Sequence, residues 1–192
     1  MCRIFLLVTL LLIVNFIFAQ EKQNKEKSMQ NFSRHSSETQ LVKFPNLEAK
    51  TLAKRKIIFP SEVKGQKAFL VLVFEDGGVY ENAQNQADKW AKYWEDNLKG
   101  RDVVFYEIPM MSGKYGLVSF WINAGMRSGI AQEKHDAVAC FYGDKSVYAR
   151  LLGVSDLSQA YVFLLDENGN MRCKESGLPD EMKSNRIISQ LK

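Results

Sequence analysis

The stretch KAFLVLVFEDGGVYENAQNQADKWAKYWEDNL (Lys67–Leu98) sets the fold of this chain. Its opening, Lys67–Glu75, is a continuous apolar run rich in Val, Phe and Leu. Such a run reads as a strand buried on both faces. Two glycines, Gly77 and Gly78, then mark a turn. From Val79 to Leu98, residues Tyr80, Ala83, Ala87, Trp90, Ala91, Trp94 and Leu98 recur at three- and four-residue steps, which places them on one helical face. Strand, tight loop and helix are the first half of a βαβ unit. The loop, Glu75–Tyr80, contains no cysteine.

Outward from this stretch, the order of elements continues the pattern. VVFYEIPMM (Val103–Met111) is expected as a second buried strand, with Pro109 admissible only near its end. Leu117–Ile130 reads as a weaker helix, since Gly125 and Gly129 each cost about 1 kcal/mol against Ala. Ala137–Tyr142 is a short strand, Lys145–Leu152 a brief helix, and Ala160–Asp166 a strand. Glu167–Asn170 contains the Asn-Gly pair of a hairpin turn, from which Met171–Lys174 returns antiparallel. A closing helix spans Leu178–Leu191, with Pro179 in its first turn. Upstream, Leu41–Gln66 carries two Phe-Pro pairs and reads as an extended lead-in with a short strand at Lys56–Phe59.

The N-terminal part differs in composition. Met1–Ala19 has a short n-region with Arg3 and an apolar h-region, Ile4–Ala19, ending before Gln20. This is the pattern of a signal peptide cleaved after Ala19. Ile17 is a poorer −3 residue than Ala, so an uncleaved anchor is the competing reading, and membrane contact is expected only then. Residues 20–40 are polar and read as a flexible linker that cannot bury enough apolar surface to order itself. Residues 41–192 form the domain. Cleavage removes one arginine and no acid, so the net charge goes from +4 to +3. That is too small, and too evenly spread, to point to nucleic acid.

Export leaves Cys140 and Cys173 under oxidising conditions, where a disulfide between them is possible. Two separate buried thiols are the simpler reading. Thiol redox catalysis needs a low-pKa cysteine at a helix N-terminus, and the loop after Glu75 offers none. No metal is expected: His35 and His135 are the two histidines and lie in no ligand-like spacing. Neither a P-loop nor a serine-hydrolase elbow occurs. No cofactor and no catalytic residue are assigned. Trp90 and Trp94 are expected inward and Tyr93 outward. Phe120 and Trp121 are adjacent, so a regular helix must turn one of them to solvent.

A parallel first half followed by an antiparallel hairpin and a last helix resembles the thioredoxin-like fold, an α/β mixed sheet flanked by helices, over residues 44–191. A short strand-helix insertion precedes the hairpin. Four patches, Phe69–Trp90, Tyr106–Met111 with Ile122–Ile130, Cys140–Val154 and Ala160–Glu181, are together similar to the mitochondrial ATP synthase assembly factor family. That family is a non-redox thioredoxin-like group. Two departures stand out: family members work on the inner side of their membrane, and Cys173 stands where they have an aromatic residue.

The signal segment implies an exported protein, in the periplasm or on the outer face of the cytoplasmic membrane, and the resemblance implies a non-redox role for it. It would bind a polypeptide client or membrane-complex subunit as an assembly or folding factor. Thioredoxin-like proteins grip extended chains between the loop at Asp76 and Tyr80 and the segment ending at Gln159, where redox relatives place a cis-proline. Tyr93, Trp121, Arg127 and Arg172 are further candidates for the client surface. The alternatives are a thiol-disulfide or peroxiredoxin-like enzyme using Cys140 and Cys173, and a structural part of an envelope complex.

Overall fold

The computed structural model describes residues 42–75 and 80–191. The expected signal peptide, the linker and Asp76 lie outside the described residues. Its elements are β1 (Leu47–Thr51), β2 (Lys56–Phe59), β3 (Lys67–Phe74), α1 (Tyr80–Asn97), β4 (Val103–Ser112), α2 (Ser119–Gly129), β5 (Ala139–Gly143), α3 (Lys145–Leu151), β6 (Ala160–Leu165), β7 (Met171–Ser176) and α4 (Glu181–Ser189). One sheet runs β2-β1-β5-β4-β3-β6-β7. β3 pairs parallel with β4 and antiparallel with β6, which places the most apolar strand in the interior of the sheet. This is the expected thioredoxin-like architecture.

Each face of the sheet carries a core. Phe69, Val71 and Val73 of β3 meet Ala83, Ala87 and Trp90 of α1 and Ile187 of α4. On the opposite face Leu70, Leu72 and Phe74 pack with Phe44, Phe59 and Phe163, under Tyr148 and Ala149 of α3. Strand alternation thus divides one apolar run between two cores. At the hairpin end, Phe44 N donates to Gly169 O (2.9 Å), Met171 N donates to Val42 O (2.8 Å), and Lys43 bridges Asn170. Gly169 has φ +80°, and a Cβ there would come within 2.5 Å of Pro60 Cβ, so both conformation and space require glycine.

Several expectations need correction. β1 lies in the supposed lead-in; its alternation Leu47, Ala49, Thr51 inward is only three buried positions long, too few to separate from an extended loop. Pro109 sits near the end of β4, as expected, three residues before Ser112. Glu107 N donates to Ala137 O across the β5 edge (2.8 Å), and two residues on Pro109 presents its ring nitrogen to the same edge. Regular pairing with β5 resumes at Met110–Phe141, so the proline falls in a gap of the ladder where no donor is needed.

The second helix begins at Ser119, after a 3-10 segment, Gly113–Val118. The last helix begins at Glu181, where Asp180 accepts from Lys183 N (2.8 Å) as its cap, so Pro179 precedes the helix.

Candidate functional site

The C-terminal ends of the parallel strands β3, β4 and β5 form one edge of the domain, the edge at which open α/β sheets place ligands. Its first tie is Glu75, which continues β3 by donating N–H to Met110 O (3.1 Å). Its carboxylate receives Lys145 Nζ (3.1 Å) from the start of α3 and Tyr115 OH (3.5 Å) from the 3-10 segment. Three chain segments that leave the sheet are therefore held by one acid.

A second set of ties comes from α1. Asn82, Gln86 and Trp90 are four residues apart and so share one helical stripe. Asn82 Nδ2 donates to Ser158 O (3.2 Å), Gln86 Oε1 accepts from Ala160 N (3.0 Å), and Trp90 Nε1 donates to Gly177 O (2.7 Å). The loops before β6 and after β7 are thereby fixed to the helix.

Beside this fixed edge, the start of α2 is turned to solvent. Leu117 is 97% exposed, Phe120 66% and Trp121 73%. The two rings meet edge to face at 5.5 Å. No residue of α2 is buried. Contiguous exposed apolar side chains mark an interaction surface. A groove of about 310 Å³ runs between α2 and β1, lined by Phe120, Asn123, Arg127 and Tyr142 with Lys50 and Lys54. Among the described residues none of these three cations is in an ion pair. The segment Gly113–Gly129 contains no acid, so the surface is apolar with a basic margin.

Of the sequence-predicted residues, Trp121 and Arg127 both lie on α2, but on different sides of it, and of the two only Arg127 lines the groove. Gln159 lies near the same edge, but its Nε2 is held by Asp156 Oδ2 (2.8 Å). Asp156 also accepts from Ser158 N and Oγ, and these donors keep its carboxyl below the usual range. Tyr80 opens α1; its side chain lies outside the described residues. Arg172 is exposed on the far edge strand β7, away from α2.

Tyr93 faces inward, contrary to expectation: its ring lies 6.3 Å from Phe69 and 5.5 Å from Trp90, and its hydroxyl donates to Ser184 O (3.4 Å). Trp94 is half-buried over Phe105 of β4 (5.2 Å) instead of against β3. Helical residues 90, 93, 94 and 97 span a stripe wide enough for both rings, and sequence spacing alone does not say where its edge falls.

The cysteines do not meet. Cys140 is on β5 and Cys173 on β7, four strands apart in the sheet order. At about 4.8 Å per strand that is roughly 19 Å, far beyond the roughly 7 Å a disulfide spans. Cys140 is buried against Leu52, Val138 and Met126. Burial, with Glu107 nearby, pushes its thiol up to about 12. Cys173 is half-buried beside Glu175, and burial pushes it up to about 11. Both shifts disfavour the thiolate, the nucleophilic form.

Glu75, Tyr115 and Lys145 were not singled out in the sequence, because they converge only after three strands end at one edge. The Asn82, Gln86, Trp90 spacing was a readable signal: polar side chains on the buried stripe of a helix require partners. Among the described residues no group of three or more His, Cys, Asp and Glu is arranged to hold a metal ion.

No known family model matches the chain, and no curated protein is similar to it in sequence. Its fold does match solved structures. A thiol:disulfide interchange protein of the thioredoxin family from Chlorobium tepidum TLS superposes with a TM-score of 0.51 at 12% identity, over 81% of this chain and 100% of that one. A protein assigned as the thiol:disulfide interchange protein DsbE from Chlorobium tepidum gives 0.49 at 17% identity, over 79% and 97%. The exposed lipoprotein thioredoxin Etrx1 from Streptococcus pneumoniae strain TIGR4 gives 0.47 at 16%, over 77% and 98%. These three are thioredoxins or thiol:disulfide interchange proteins by name, and no family model supports the expected membership of the mitochondrial ATP synthase assembly factor family, which does not hold. At these identities the likeness establishes the thioredoxin-like fold and nothing finer.

Proposed function

We propose that this is an exported thioredoxin-like domain that binds a polypeptide client, as an assembly or folding factor, without thiol chemistry of its own. The observation that carries the reading is the exposure of Leu117, Phe120 and Trp121 at the edge where the parallel strands end, with Phe120 lining a groove that also takes in Lys50, Lys54 and Arg127. An extended segment with apolar and acidic residues complements such a surface. The absence of cysteine from Glu75–Tyr80 and the raised thiols of Cys140 and Cys173 support a role other than electron transfer. Export follows from the apolar segment Ile4–Ala19.

The second reading is a thiol-disulfide oxidoreductase, favoured by the thiol:disulfide proteins among the similar structures. One experiment separates the two. A photo-crosslinking residue placed at Phe120 in the exporting cell should trap a defined partner, and Trp121→Ala should abolish the adduct. The purified domain should not reduce insulin disulfides above background. Insulin reduction that disappears in Cys140→Ser or Cys173→Ser would establish the oxidoreductase reading in its place.

A further inference from the structure

Away from the strand-end edge, the α1 face of the sheet carries a buried acid that the proposed function does not use. Glu107 stands on β4 two residues after Phe105 and is only 9% exposed. Gln84 Nε2 of α1 donates to its Oε1 (2.9 Å) and is shared with Asp88 Oδ1 (3.1 Å). No hydrogen bond among the described residues reaches Oε2. That oxygen is also not sealed from water, because no buried side-chain oxygen lacks a partner. Glu107 lines a groove of about 780 Å³ between α1 and residues 129–138.

This volume is that of a small-molecule site, commonly 300–1,000 Å³ and mostly apolar with a few placed polar groups. Trp94, Phe105, Ile130 and Val138 supply the apolar walls, and Glu107 the polar floor. The rim charges decide the sign of the ligand. Lys134 is taken by Glu95 (2.6 Å) and Lys92 by Asp96 (2.9 Å). What remains around the groove is Asp88, Glu107 and Glu133 against Lys99. An anion would meet this residual negative charge, and a neutral donor would leave it uncompensated.

We propose that the groove binds an organic cation, an amidinium, guanidinium or ammonium group on an aromatic or apolar body, received by Glu107 Oε2 and flanked by Trp94 and Phe105. Removal from water disfavours a lone carboxylate, and burial holds Glu107 above the usual carboxylate range. A cation with N–H donors supplies both missing elements, the opposite charge and the hydrogen bond to Oε2. Trp94 and Phe105, packed on each other at 5.2 Å, give the apolar body of the ligand a wall. A planar fork suits this arrangement better than a point charge.

The test uses benzamidine as the probe, with the uncharged benzamide as its near-isostere. In amide and indole NMR spectra of the mature chain, benzamidine should shift the Trp94 indole N–H, which is hydrogen-bonded to Val103 O (3.2 Å), saturably. Benzamide should leave it in place. Glu107→Gln keeps the shape of the side chain and should weaken benzamidine at least tenfold, with the rest of the spectrum preserved. Gln84→Ala, which retains the acid, should still bind. Equal binding of benzamide and benzamidine, no shift with either, or unchanged benzamidine binding in Glu107→Gln would each overturn the assignment.

Discussion

α1 and α2 occupy equivalent places in successive βα units, each leaving the C-terminal end of a parallel strand. They are built in opposite ways. α1 sinks Ala83, Ala87 and Trp90 into the core and uses Asn82, Gln86 and the Trp90 indole to hold neighbouring loops. α2 buries no residue and turns Phe120 and Trp121 outward. Two glycines lower its intrinsic helicity further. Aromatic content therefore does not distinguish a core helix from an exposed one. What distinguishes them is whether the aromatic side chains lie against the sheet, as Trp90 does, or in solvent, as Phe120 and Trp121 do.

The sharpest way to break this contrast is Trp90→Ala. A fully buried indole with a satisfied N–H should cost about 3–5 kcal/mol, a large part of the roughly 5–15 kcal/mol that holds a domain together. Denaturant unfolding would register it, and a loss under about 1 kcal/mol would mean α1 is not the scaffold.

Tyr93→Ala should follow, at about 1–3 kcal/mol, because its ring packs on Phe69 and Trp90. A negligible loss would restore Tyr93 to the surface.

The third prediction concerns the acid beneath α1. Glu107 is held above the usual carboxylate range by burial, which outweighs the opposing hydrogen bond from Gln84; Asp88 raises it further, Lys134 lowers it, and Cys140 lies across on β5. The native state therefore keeps this proton to higher pH than the unfolded chain does. Its contribution is fully present below the usual carboxylate range and is lost as pH rises through the raised native value. Stability of the wild type relative to Glu107→Gln should accordingly fall with rising pH in that window. A difference that rose instead would show a carboxylate stabilised by a charge partner.

The smallest effect belongs to Trp121→Ala. At 73% exposure it should change stability by no more than about 0.5 kcal/mol while removing the crosslinked client. Loss of stability comparable to Tyr93→Ala would make α2 a second core helix.

Periodicity carried the central elements. The apolar run of β3 and the stripe of α1 are strong local signals, and β6, the Asn-Gly turn and β7 followed from equally local ones. β1 was lost because three inward residues do not make a pattern. Of the site, the adjacency of Phe120 and Trp121 was legible. The Glu75, Lys145 and Tyr115 tie was not, since these residues are up to 70 positions apart and only topology joins them. Tyr93 and Trp94 show the limit of a helical wheel: both lie near the border of the buried stripe, and the breadth of the sheet below decides which side wins.

The bonds of Val42, Lys43 and Phe44 to the hairpin turn give the domain two poles. β6 returns the chain from the strand-end edge to the hairpin, so the N-terminal entry and the Phe120–Trp121 surface stand toward opposite ends of β3, which is eight residues long, roughly 25 Å apart. The proposed partner at the aromatic pole would meet the domain at the end opposite Val42, where the described chain enters. An attachment made at the start of α2 instead would leave every core contact intact and cover Leu117, Phe120 and Trp121.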